Sequence, residues 1–279
     1  MKQKYLIGAL AVLVAVFCLS LFMVLHESSA APAEPLPETT AAPSPEPTPE
    51  PTPEPLEIYE YDEDSLRNLY RELQEDKEIN PDVRALLCFQ SGMIHAPVLQ
   101  SSDVNEYLYK NWKTGEYLSY GSITMEPEND LTRDDQNTII YGHYIYEFRN
   151  PDRTLAFTPL AELMKESAWE PNRYVSLITP DEVRYYEIAA VFECPLDSAD
   201  GYQFTRQGFE YNLLSYTPEY MATYRENVRS HAYYDTGVEF DADDRFLTLQ
   251  TCIEGNNNAR EIVLCRELKR VPAFEHTEE

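Results

Sequence analysis

Basic residues are scarce in this chain: 22 Lys and Arg stand against 49 Asp and Glu, leaving a formal net charge of −27. A field of that sign repels nucleic acid and anionic lipid, so neither is expected as a partner. No Cys-x-x-Cys pair occurs, and no His/Cys spacing of the kind that holds zinc, so no zinc site is expected. No unit repeats along the chain. Its five cysteines are an odd number and lie far apart, unlike the framework of a small disulfide-stapled domain. What is plentiful is apolar and aromatic material: 43% of residues are hydrophobic, with 21 Tyr and 11 Phe. That suffices for one sizeable core and excludes disorder of the whole chain.

The N-terminus differs from the rest. Lys2 and Lys4 precede an uncharged run from Tyr5 to Leu25, long enough as a helix to cross a hydrocarbon layer of about 30 Å. Lysines before it and acids after it orient residues 1–4 to the cytoplasm and the body of the protein outside, as a single-pass membrane protein. A cleaved signal peptide ending near Ser28-Ser29-Ala30 is the competing reading, but its apolar core would span only about 7–15 residues. Residues 26–57 are rich in Pro, Glu and Thr, and residues 31–57 contain no glycine. This stretch is expected to be an extended spacer that buries nothing. Residues 58–279 are expected to form one domain.

Within that domain, Leu66, Leu69, Tyr70 and Leu73 recur at helical spacing over 64–75, with Asp64 or Ser65 as candidate caps. Strands are expected at 96–100, 117–126 and 137–143, followed by a helix over 158–167 capped by Thr158 with Pro159 in its first turn. Residues 173–179 and 182–193 read as a hairpin. Helices are expected over 209–216 and 217–230, and the last strands over 245–251 and 261–268. Strands dominate, which predicts a mainly β, mostly antiparallel barrel or sandwich with helical insertions.

Three residues stand out chemically. Cys252 ends the strand "RFLTLQT" and precedes the polar turn "IEGNNN"; a buried structural cysteine falls more naturally mid-strand, as Cys265 does. His143 ends the apolar strand "NTIIYGH" directly after Gly142, where a side chain can project into a cleft. His95 and His231 are expected to be surface or structural residues. Arg260 opens the last strand, and its fixed fork of donors can hold a carbonyl and then its oxyanion. The turn between Cys252 and Arg260 would place them on neighbouring strands.

"TLQTC" resembles the TLxTC signature of sortases, the cysteine transpeptidases of Gram-positive cell envelopes. "NTIIYGH" resembles the strand carrying their histidine, and an arginine shortly after the cysteine completes the set. Residues 78–112, with "NPD" leading to "PVLQ" and "YL", are similar to class B members, as is the helix before "LTLQTC". The resemblance covers about residues 65–270. Departures are the "RALLCF" where a Trp is usual, "TMEPEND" in place of a basic aromatic turn, and Glu254 where an Asp is common. The resemblance implies an eight-stranded β-barrel with N-terminal helices and a helical insertion before the catalytic-cysteine strand. It implies Cys252, His143 and Arg260 as catalytic residues, with Thr251, Leu249, Glu254 and Asn256 around the substrate, and acyl transfer at a cysteine that requires no metal or organic cofactor. The implied partners are a surface-protein sorting-signal peptide and an amine from a peptidoglycan precursor or a pilin subunit. The same residues would also serve a thiol protease with water as acceptor, and a barrel of this kind could act as a non-catalytic anchored binding module.

Overall fold

A computed structural model describes residues 60–133, 135–196 and 209–273. The expected membrane helix over 5–25 and the spacer over 26–57 lie outside the described residues. Among the described residues no helix is long and apolar enough to cross a membrane.

Eight strands close into a barrel: β1 (Val83–Phe89), β2 (His95–Leu99), β3 (Thr124–Met125), β4 (Asn137–Tyr141), β5 (Tyr174–Ile178), β6 (Glu182–Pro195), β7 (Phe246–Ile253) and β8 (Asn256–Pro272). Around the barrel they follow the order β1-β2-β3-β4-β7-β8-β6-β5. The helices are few: α1 (Glu63–Ile79), α2 (Val104–Leu108), α3 (Glu166–Trp169) and α4 (Pro218–His231). The barrel expected from the sequence is therefore present, but it is mixed: β2–β3 and β4–β7 are parallel. A parallel neighbour requires a long crossover. Between β4 and β7 that crossover contains the β5–β6 hairpin and α4.

Alternation along β7 and β8 sorts their side chains into two layers. Leu247, Leu249, Val263 and Cys265 fill the barrel interior with Ile140 of β4. Ile262, Leu264 and Phe246 face outward, onto Met221, Tyr224 and Val228 of α4 and onto Phe209, Tyr211 and Tyr216. On the other side α1 lays Leu66, Leu69 and Leu73 over Val83, Leu86 and Cys88 of β1. From Ala85 to Phe89 strand β1 is thus covered on both faces, and its sequence there is a continuous apolar run without the period of two. For that reason it was not expected as a strand.

Helix α1 begins one residue earlier than expected and runs four residues further, over Glu63–Ile79 rather than 64–75. Its cap is Asp62, whose carboxylate accepts from the Ser65 amide at 2.7 Å, rather than Asp64 or Ser65. Leu73 is fully buried beneath it. Truncation there leaves a cavity as well as losing transfer energy. Leu73→Ala is expected to lower the unfolding free energy by about 2–5 kcal/mol in denaturant titration, whereas a change below about 1 kcal/mol would mean that α1 docks without that side chain.

Three other expectations are corrected. The stretch 117–126 supplies only the two-residue β3. The segment 158–167 is a 3-10 turn over Thr158–Met164 that Thr158 does not cap, because its hydroxyl accepts from the Ile145 amide at 2.9 Å. Residues 209–216 are not helical. The Asn137 amide, at the start of β4, donates to Tyr211 O (3.0 Å) and Leu213 O (2.9 Å), while Gln136 accepts from the Tyr216 amide at 2.7 Å. Backbone groups that a helix would pair internally are taken here by side chains at the start of β4 and just before it. The helix over 217–230 is as expected, capped by Thr217.

Candidate active site

Strand register assembles the site. In the parallel β4–β7 pair, Asn137 lies beside Phe246 and Tyr141 beside Gln250. Two residues beyond those last partners come His143 and Cys252, at one level and at one end of the barrel. Gly142 keeps the two chains together there: its amide donates to Gln250 O at 3.2 Å, and the Thr251 hydroxyl donates to Gly142 O at 2.9 Å. A Cβ at residue 142 would stand 2.6 Å from Cγ of Phe157, so a glycine is needed for this approach. Across the antiparallel β7–β8 pair, Cys252 faces Arg260 directly. The turn between them is shorter than "IEGNNN": Glu254 and Gly255 make it, Gly255 with φ +77°, and the three asparagines already belong to β8.

The local electrostatics favour neutral groups. Cys252 is half-buried; burial pushes its thiol up, and the Arg260 guanidinium pulls it back in part. Burial holds the His143 imidazole below its usual value, against a hydrogen bond with the Leu108 backbone and with a smaller push from Arg149. Nε2 of His143 is buried and has no hydrogen-bond partner, and its ring sits 5.0 Å from that of Tyr109. Arg260 is 7% exposed, and its Nη1 donates to Ala259 O at 2.8 Å and Asn257 O at 3.3 Å. Its own strand therefore fixes the fork beside the thiol.

The other four expected residues divide. Leu249 is fully buried in the barrel interior, and the Thr251 hydroxyl donates to Gly142 O. Alternation is the reason: if Cys252 faces the cleft, Thr251 and Leu249 face inward. Glu254 is exposed on the turn and accepts from the Tyr144 hydroxyl at 2.7 Å. Asn256 donates to Glu193 of β6 at 2.8 Å.

Sequence reasoning missed two groups around this site. Tyr211, fully buried, donates to Gln250, which shares the cleft face of β7 with Cys252; both Arg260 and Cys252 act on its phenol. Nothing local in the sequence marks it, since its partner lies on a strand far along the chain. Arg153 donates to the Tyr144 hydroxyl at 2.6 Å and to Ile145 O at 2.8 Å, tying the segment after His143 to Glu254. The aromatic run "HYIYEF" was the available signal.

Cys88, Cys194, Cys252 and Cys265 are all free thiols. Cys88 lies 3.6 Å from Nδ1 of His95, whose Nε2 meets Glu72 at 2.8 Å, but burial pushes that thiol up to about 12 and leaves it inert. His231 packs its Nδ1 against Asn227 O at 2.9 Å. Among the described residues no cluster of His, Cys, Asp and Glu is arranged to hold a metal ion.

No family model matches the chain. Sortase B of Listeria monocytogenes is 30% identical to it over 186 residues, which is 65% of this chain and 67% of that protein. The chain belongs to the class B sortases. Staphylococcus aureus sortase B is 26% identical over 196 residues, covering 70% of this chain and 73% of that one. The crystal structure of Clostridium perfringens sortase B superposes with a TM-score of 0.57 at 28% identity, over 70% of this chain and 99% of that chain. A Staphylococcus aureus sortase B–substrate complex shares the fold, with a TM-score of 0.58 at 20% identity over 72% of this chain and 86% of that chain. This sortase is accordingly a cysteine transpeptidase built on a closed eight-stranded barrel.

Proposed function

We propose that this sortase is anchored by residues 5–25 with its barrel outside the cell, and that it joins surface proteins to an envelope amine. The observation that carries the reading is the pairing of Cys252 with Arg260 across β7–β8, with His143 at the same level on the neighbouring chain. A solved complex of Staphylococcus aureus sortase B with substrate, on the same fold, supports a substrate-binding role for a barrel of this kind.

The Cys252 thiolate attacks the threonine carbonyl of an LPxTG- or NPxTx-like sorting pentapeptide, forming a C–S bond. Arg260 and backbone amides near Thr251 and Cys252 hold the oxyanion. As the tetrahedral centre collapses, the C–N bond breaks and His143 gives its proton to the departing amine. A thioester remains on Cys252. An amino group of a peptidoglycan precursor or a pilin subunit then attacks it, losing a proton to His143, and the thiolate leaves. With the thiol pushed up and the imidazole pushed down, the resting pair is neutral, and the thiolate–imidazolium pair is a minor population.

Mass spectrometry of the enzyme with a sorting peptide, with and without an added oligoglycine or diaminopimelate-type amine, tests this reading. The expected result is a thioester adduct mapped to Cys252 and, with amine present, an amide product in place of the free acid. Identical hydrolysis products in both reactions would assign the barrel to a thiol protease instead.

A further inference from the structure

Directly beneath the three catalytic residues lies a carboxylic acid that the reaction does not use. Glu261 follows Arg260 on β8, and its side chain points to the other face, into the barrel, on the side of Val263 and Cys265. It is 0% exposed, and neither carboxyl oxygen has a hydrogen-bond partner. Its cross-strand neighbour on β7 is Thr251, the residue before Cys252. The Thr251 hydroxyl is bonded to the carbonyl of Gly142, the residue before His143. Glu261 is thus one covalent step from Arg260. One strand pairing takes it to the neighbour of Cys252, and one further hydrogen bond takes it to the neighbour of His143.

The groups facing it do not neutralise a charge. From β6 comes Glu193, its direct register partner and itself an acid. From the segment after α4 come the phenols of Tyr233 and Tyr234, whose protons burial already retains and a charge on Glu261 would retain further; Tyr234 donates to Leu163 O and also lies near Glu166 of α3. The Arg260 guanidinium projects to the opposite face. An ionised carboxylate in such a place would draw in water or a cation, at the cost of the Thr251–Gly142 contact. A protonated one fits.

We propose that Glu261 is a positioning residue: as a neutral acid it packs under Cys252, His143 and Arg260 without disturbing the register of β4, β7 and β8, and its ionisation releases that register. Burial supports the neutral form, since it raises the group to about 8. The catalytic part of the inference rests on the sortase reading above.

The test compares the full-length protein in detergent with its Glu261→Gln and Glu261→Met variants, the second filling the volume without an amide to satisfy. The folded-state value lies above the unfolded carboxylate value of 4.5, so the folded protein keeps a proton that the unfolded chain loses. Stability from this group is fully present below that value and declines until about pH 8. The Tm of the wild type is therefore expected to fall relative to both variants across that window and to run parallel above it. Above about pH 8, wild-type kcat/KM for peptide plus amine is expected to fall relative to the variants by up to about tenfold per pH unit. Alkylation of Cys252 by iodoacetamide, mapped by peptide mass, is expected to diverge over the same range. A Tm difference independent of pH overturns the neutral acid. Diverging Tm with parallel kcat/KM and parallel alkylation overturns the positioning role, leaving a merely structural residue. Should the wild type turn over no peptide, the sortase reading fails, and the alkylation profiles alone decide for or against Glu261.

Discussion

Cys252→Ala is expected to reduce sorting-peptide turnover by on the order of 10⁵-fold or more, the scale seen when a covalent nucleophile is deleted. Alanine can form no thioester, and no other described thiol can substitute. Cys88 is sealed under α1 with its thiol pushed up to about 12. Cys265 faces the barrel interior, and Cys194 is buried under the segment leading to α4. The substitution removes a single sulfur from a half-buried strand end, so the barrel should persist and the Tm should stay close to that of the wild type. Peptide cleavage measured by chromatography, with the Tm as a control for folding, checks this. If cleavage persisted above about a hundredth of the wild-type rate, Cys252 would not be the nucleophile.

Arg260→Lys is expected to lower kcat by about 10²- to 10³-fold, roughly 2.7–4 kcal/mol, while KM changes little. The guanidinium is held by two carbonyls of its own strand, and its remaining donors are aimed by that anchorage. An ammonium on a flexible stem reproduces the charge but not the fork. Because the interaction strengthens only as the carbonyl oxygen becomes an anion, its loss appears in kcat. Arg260→Gln adds a second effect. Arg260 is the cation that lowers the Cys252 thiol, so removing it drives the thiol further up and moves the pH optimum to higher pH. The lysine variant, still charged, should keep the optimum in place. Steady-state kinetics across pH for both variants would separate the charge from the geometry. A glutamine variant within about threefold of wild-type kcat would remove Arg260 from the oxyanion site.

Legibility of the fold in the sequence followed the physics of each element. Strands β4, β7 and β8 could be read because their apolar runs end at a Gly, a polar turn and a charge. Strand β1 could not, because α1 covers its outer face and removes the alternation that identifies a half-buried strand. Residues 209–216 carry apolar side chains at helical spacing, yet Asn137 and Gln136, far back in the chain, take their backbone groups. Bonds between residues so far apart in sequence leave no local trace. The site divides in the same way. The residue types of Cys252, His143 and Arg260 and their places at strand ends were visible. That β4 runs parallel to β7, bringing His143 level with Cys252, was not. Leu249 could have been assigned to the interior from alternation alone, once Cys252 was taken to face outward.

The parallel pairing of β4 with β7 also bears on how the enzyme comes into being. The strands that bring His143 and Cys252 together are separated in the chain by β5, β6 and α4, so their contact requires a large loop to close. Non-local pairings of this kind slow folding, because the entropy of closure is lost before any contact is gained. Until that closure a nascent chain holds an ordinary thiol and an ordinary imidazole, neither near the other nor near a guanidinium. The newly made polypeptide is thus harmless to its neighbours, and transpeptidase activity arrives together with the finished barrel.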